Sequence, residues 1–251
     1  MKSNFTLNGP NGKIVGTLTL PASGPKAVAV CLHGGPGGDR SGNEHGFDQI
    51  ANALREKGVA TLQFDFCGSG ESDGSPEDAS IASQVRDYEA VLDRVISEYK
   101  CPIHVIGESA GATIASSIWR EEPLSYLLLW PAFDLSWTDL KPYLSDEWKE
   151  KVDADGYLND NGLIIGAELF NELRTKDFSD NFELPEKDIL LVHGRIDEEV
   201  PYQQSLKAMQ SAKQTLVFLS RPNAGHGFKA ADDRGLLLKY VEFWICERSA
   251  A

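Results

Sequence analysis

Basic residues are scarce in this chain of 251 residues: 24 Lys and Arg stand against 38 Asp and Glu, a formal net charge of −14. Such a surface repels a nucleic-acid duplex or an anionic bilayer, so neither is an expected partner. Long apolar runs are missing too, and no stretch approaches the roughly 18–20 residues that a membrane span needs. The first residues, Met1-Lys2-Ser3-Asn4-Phe5-Thr6-Leu7, lack the apolar core of a secretory signal, and the expectation is a soluble, cytoplasmic protein. Only four cysteines occur, Cys31, Cys67, Cys101 and Cys246, with neither CxxC nor CxxxC spacing. That argues against a disulfide scaffold and a thiolate metal centre, and small buried thiols are expected instead. The five histidines form no HExxH pair, so no metal or other cofactor is expected. No feature specifies an oligomeric state.

Short aliphatic runs alternate with helical patterns from residue 26 onward. Lys26–Leu32, Val59–Phe64, Pro102–Ile106, Tyr126–Trp130, Ile189–Val192 and Leu216–Leu219 read as strands. Between them Phe47, Ile50, Ala51 and Leu54 recur at helical spacing, as do Val85, Tyr88, Leu92, Val95 and Tyr99. Helices are also expected over Ala110–Arg120 and around Leu237, Tyr240, Val241 and Trp244. This rhythm predicts an α/β protein with a mostly parallel sheet and helices on both faces. Asn4–Leu7 and Lys13–Leu20, joined through Asn8-Gly9-Pro10-Asn11-Gly12, predict an antiparallel hairpin at its edge.

One segment breaks the rhythm. Residues 134 to 188 carry 15 Asp/Glu and six Lys/Arg, −9 of the total charge, and nine aromatic residues fall between Trp130 and Phe182. We expect residues 134–183 to be an inserted, helical lid over a pocket, with 1–133 and 184–251 forming the core. Gly34 and the rings of Trp130, Phe133 and Trp137 are the candidate pocket wall.

Gly-x-Ser-x-Gly occurs twice, around Ser72 and around Ser109. A serine nucleophile needs a tight strand-to-helix turn, which glycines permit. Ser109 follows the strand Pro-Ile-His-Val-Ile and opens a helix, whereas Ser72 lies in a Gly-rich loop and reads as a turn residue. Ser109 is therefore the candidate nucleophile. It needs a base and an orienting acid. His104 falls inside a strand, His33 and His193 end strands in His-Gly pairs that suit turns, and His45 sits in a loop. His226, between Gly225 and Gly227 just past the final strand, is the candidate base. Asp197, after the strand Ile-Leu-Leu-Val, is the candidate acid, with Glu198 and Glu199 as alternatives. All three follow strands, at the edge where parallel sheets bind ligands. The backbone N–H of Ala110 and that of Gly35, in His33-Gly-Gly-Pro-Gly-Gly38, are the candidate oxyanion hole.

These residues, in the order Ser109, Asp197, His226, resemble the α/β-hydrolase superfamily over about residues 12 to 248. The resemblance implies an eight-stranded sheet with nucleophile, acid and base after strands five, seven and eight, and an insertion after strand six. The loop Asp65-Phe-Cys-Gly-Ser-Gly-Glu-Ser and the position of the insertion resemble feruloyl and cinnamoyl esterases and monoglyceride lipases. They imply a serine hydrolase cleaving small-molecule esters of apolar or aryl acyl groups. His33-Gly-Gly-Pro-Gly resembles proline iminopeptidases instead, whose lid carboxylates bind a substrate amine, although Glu108 and Ala110 flank the serine where those enzymes carry Gly and Trp. A non-catalytic binding protein on the same fold is the remaining alternative.

Overall fold

The computed structural model describes residues 1–179, 187–211 and 216–250. Eight strands form one sheet: β1 (Lys2–Gly9), β2 (Gly12–Thr19), β3 (Ala27–Leu32), β4 (Val59–Phe64), β5 (Ile103–Glu108), β6 (Ser125–Leu129), β9 (Asp188–Gly194) and β10 (Leu216–Arg221). A separate hairpin supplies β7 (Tyr157–Asp160) and β8 (Leu163–Gly166). The sheet order is β1-β2-β4-β3-β5-β6-β9-β10; β2 is antiparallel to both of its neighbours, β1 and β4, and every other pairing is parallel. This is the α/β-hydrolase arrangement that the sequence led us to expect.

The central strands β3, β4, β5 and β6 are buried at every position because both faces are covered. Val28, Val30 and Leu32 of β3 join one core cluster, while Ala27, Ala29 and Cys31 between them join the other. On the first face lie α2 (Ile81–Glu98), through Tyr88, Val91, Leu92 and Val95, and α3 (Ala110–Ser117). On the second lie α1 (Gly46–Glu56), through Phe47, Ile50 and Leu54, and α7 (Ala231–Ser249), through Leu237, Val241 and Trp244. Helix α3 is one turn shorter than its sequence pattern, and the Arg120 N–H past its end is taken by the Tyr126 hydroxyl at 3.1 Å.

Between β6 and β9 the chain leaves the sheet. It builds α4 (Asp146–Asp155), the β7–β8 hairpin and α5 (Ala167–Thr175). Asn161 and Gly162, both at positive φ, make the tight turn that joins the two strands. The excursion closes at its base, where Asp134 pairs with Asp177 and Phe178 N–H donates to Phe133 O at 2.8 Å. The expected boundary at 183 lies outside the described residues. The β7–β8 hairpin stands between the two helices of the insertion. The excursion is fastened to the core at the start of α2, where Ile81 N–H donates to Glu172 Oε2 at 2.6 Å. Helix α6 (Gln203–Ser211) follows β9. Among the described residues, no helix is long and apolar enough to cross a membrane.

Two tests follow from this packing. A Cβ on Gly166 would lie 1.7 Å from Glu77 O, so Gly166→Ala is expected to loosen the excursion. The expected loss is about 1–3 kcal/mol in urea unfolding, whereas Gly235→Ala, in open space on α7, should gain about 0.5–1 kcal/mol. His104, on β5, is buried between the hydroxyls of Ser125 (2.8 Å) and Ser249 (3.0 Å), and burial lowers its pKa from 6.5 to about 4. The unfolded chain takes up that proton before the folded one does, so stability present above pH 6.5 is lost as pH falls toward 4. The loss, on the order of 3 kcal/mol at most, should shrink in His104→Asn when unfolding is compared across that interval.

Candidate active site

Ser109 stands between β5 and α3 with φ 50° and ψ −121°, a strained conformation for a residue with a Cβ. The two motif glycines make it attainable. A Cβ on Gly111 would lie 2.1 Å from Leu32 O, and one on Gly107 would lie 2.6 Å from Gly111 O. Without them α3 could not press against β3 and β5, and the turn would open. Gly34 passes close on the other side, where a Cβ would meet Ser109 Cβ at 3.1 Å.

His226 follows β10 and Asp197 follows β9, the eighth and seventh strands of the sheet. His226 Nδ1 lies 2.9 Å from Asp197 Oδ2. A carboxylate oxygen accepts, so Nδ1 carries the proton and Nε2 presents its lone pair. That nitrogen faces the cavity that Ser109 also lines, with Glu199 Oε2 at 3.7 Å. No hydrogen bond joins Ser109 Oγ to the ring in this conformation. Asp197 Oδ1 accepts the N–H groups of Glu199 (3.0 Å) and Val200 (2.8 Å). Burial alone would raise the Asp197 pKa, but hydrogen bonds from His193, His226 and Val200 outweigh it and hold the carboxyl well below the usual range. Of the alternatives for the acid, Glu199 lies beside the other ring nitrogen, while Asp197 takes Nδ1.

The two residues expected to supply the oxyanion hole, Gly35 and Ala110, line the same cavity. Ala110 opens α3, so its N–H has no partner within the helix. Gly35 also lines the cavity, whereas the preceding Gly34 N–H is engaged by the Glu108 carboxylate. Glu108 is buried and accepts from Asn43 N–H at 2.8 Å, and burial raises its pKa. Arg234, buried on α7, donates to Gly227 O (2.6 Å) and Asn43 O (3.3 Å), tying the His226 loop to this glycine-rich one.

The cavity holds about 370 Å³ beneath the excursion. Its larger apolar side chains are aliphatic: Ile81, Leu135, Leu140, Leu163, Ile164, Leu169, Leu173 and Val200, with Tyr143 as the one phenol. This corrects the expected aromatic wall. Phe133 is fully buried in the core, and Trp137 is 41% exposed on the outer side. Trp130 and Gly34 line an adjoining glycine-rich recess that also contains Ser109, Glu199 and His226, and Trp130 packs edge-on to His226 with ring centroids 6.0 Å apart. The rings went elsewhere because the apolar underside is supplied by the hairpin and α5, which the sequence pattern did not resolve. Two carboxylates do reach the cavity, Asp139 from the excursion and Glu199. Burial, and then the charge of Glu199, raise the Asp139 pKa.

The other candidates fall into place as structural groups, with one exception. Ser72 Oγ donates to Asp65 O at 2.7 Å and accepts Val15 N–H at 2.8 Å, which fixes a loop to β2. His33 accepts Phe66 N–H at Nε2 (3.2 Å) and contacts Gly34 O through Nδ1. His193 is the exception, because it reaches Asp197 rather than merely serving a turn. The spacing His193-x-x-x-Asp197 was the only hint of it in the sequence. Among the described residues, no group of three His, Cys, Asp or Glu is placed to hold a metal ion. A fluorophosphonate should add to Ser109: intact mass is expected to show no label in Ser109→Ala and full labelling in Ser72→Ala.

Residues 23–151 match a family model described as serine aminopeptidase, S33. An uncharacterized protein of Mycobacterium tuberculosis is 33% identical over 229 residues, 91% of this chain and 72% of that one. The 2,6-dihydropseudooxynicotine hydrolase of Paenarthrobacter nicotinovorans is 29% identical over 187 residues, 71% of this chain and 46% of its own. Est1E of Butyrivibrio proteoclasticus, solved with ferulic acid bound, has the same fold, with a TM-score of 0.82 at 23% identity over 98% of this chain and 100% of that one. An esterase of Pyrococcus furiosus follows with a TM-score of 0.76 at 19% identity, covering 98% and 91%. The family match spans about half of the sequence and the mycobacterial relative nearly all of it, and the chain therefore belongs to the serine aminopeptidase, S33 family of α/β-hydrolases.

Proposed function

We propose that this hydrolase cleaves carboxylic esters of small-to-medium apolar acyl groups through an acyl-enzyme intermediate. The observation that carries this reading is the convergence of Ser109, the lone-pair nitrogen of His226 and the Gly35 and Ala110 backbones on one aliphatic cavity. Ser109 Oγ attacks the ester carbonyl as His226 Nε2 takes its proton, and the ring then returns that proton to the departing alcohol. Asp197 keeps the ring oriented and stabilises its cationic form. The N–H groups of Gly35 and Ala110 receive the oxyanion, each worth about 2.7–4 kcal/mol of transition-state stabilisation. Water, deprotonated by His226, then attacks the acyl-enzyme carbonyl and Ser109 leaves with the proton. The residue 134–183 excursion acts as the lid, and its aliphatic underside favours an alkyl chain over an aryl ring.

Asp139 and Glu199 favour a second reading, an aminopeptidase that holds a substrate ammonium. Against it, Glu199 already has the Lys229 ammonium at 3.4 Å. Side-by-side kcat/KM values for a short-chain aryl ester, methyl ferulate and a prolyl arylamide separate the two, with Ser109→Ala as the blank. Fast turnover of the short-chain ester, slower ferulate and negligible arylamide are expected. Preferred arylamide turnover that is lost in Asp139→Asn would replace the esterase reading with the peptidase one.

A further inference from the structure

We propose that His193 is a positioning residue for the reacting centre: backed by Ser205, it shares Oδ2 of Asp197 with His226 and thereby sets both the orientation of that carboxylate and how strongly it acts on the base. The proposal rests on the Ser109–Asp197–His226 assignment above and adds a fourth side chain to it.

The ring's protonation pattern follows from its neighbours. His193 Nε2 lies 3.0 Å from Val200 O, and a carbonyl can only accept, so Nε2 carries a proton. Nδ1 is then left to accept from Ser205 Oγ at 2.7 Å. The same Nε2–H also faces Asp197 Oδ2 at 3.2 Å, the oxygen that His226 Nδ1 engages at 2.9 Å. Both the His193 and Asp197 side chains are 0% exposed, so water does not compete for these contacts. With Oδ1 taken by two backbone N–H groups, the carboxylate has four donors around it and no room to rotate.

His104 shows what a histidine with a purely structural place looks like here. It too is buried and meets two serine hydroxyls, but no carboxylate lies on it. His193 instead shares its Nε2–H between Val200 O and Asp197, the carboxylate that holds Nδ1 of the reacting ring. Two donors on one oxygen divide its negative charge. Removing His193 leaves more of that charge to His226, which makes His226 more basic while loosening the carboxylate that aims it. The other charged groups facing His226 are Glu199 at 3.7 Å, Lys229 bound to Glu199, and the more distant Asp139 and Glu108. His193 itself is faced by Asp197 and by the edge of Tyr202 at 5.9 Å, with Arg195 over the Tyr202 ring. Substitution at 193 leaves all of these in place.

The test compares His193→Leu, which fills the volume without a donor, with His193→Gln, whose amide can replace the N–H. The rate of fluorophosphonate labelling at Ser109 is followed across pH, alongside kcat and KM for a short-chain ester, the downfield NMR signal of the His226–Asp197 proton, and Tm. His193→Leu should label and turn over about 10–100-fold more slowly, with the loss in kcat rather than KM. Its acid limb should move to higher pH and the downfield proton should shift, while His193→Gln restores most of each. Should His193→Leu fail to fold, Ser205→Ala frees the ring's rotation and should displace the acid limb in the same direction. Variants that lose only Tm, with limb and downfield proton unmoved, overturn the proposal alone. A wild-type chain that takes no label at Ser109 overturns the triad assignment and this proposal with it.

Discussion

The left-handed turn at Ser109 is the constraint on which the site depends. A serine held at positive φ between β5 and α3 projects its side chain off the sheet edge, and the strain of that turn must be carried by packing around it. Gly107 and Gly111 let the helix approach within a distance that any side chain would block. The fully buried β3 and β5, covered on both faces, give the turn a rigid footing. The same approach leaves Ala110 as the first residue of α3, with an N–H that nothing in the helix can use.

Around that turn, buried carboxylates behave differently according to their donors. Asp197 gathers four and stays ionised, so it can hold a histidine and stabilise its charge. Glu108 sits one residue from the nucleophile, and its donors do not offset burial, so its pKa rises. Its contacts with the backbone of Asn43 and Gly34 shape the glycine-rich loop, and Arg234 carries the connection on to Gly227. The loops that bear the candidate groups are therefore joined by polar contacts inside the protein.

The excursion shows how composition misleads about a pocket. Several of its acidic residues are spent on local pairs, Lys149–Asp153, Lys151–Glu147 and Arg174–Asp146. Its rings serve packing: Tyr143 and Trp148 lie 5.7 Å apart, and Phe170 is buried. Apart from Tyr143, Thr138 and Asp139, the side chains it sends into the cavity are aliphatic, among them Leu163 and Ile164 from a hairpin whose turn, Asn161-Gly162, was visible in the sequence but whose docking was not.

The sequence by itself determined the order of strands and helices and the positions of Ser109, Asp197 and His226 at strand ends. Periodicity and turn glycines are local properties, and in a parallel sheet they dictate which ends lie together. Sequence also separated Ser109 from Ser72, because only one of the two motifs joins a strand directly to a helix. Tertiary structure alone decided that His193 faces Asp197, that Trp137 turns outward and that Leu163 and Leu169 line the cavity. Those outcomes depend on side-chain direction and on contacts between segments far apart in the chain, and no local pattern of residues encodes either.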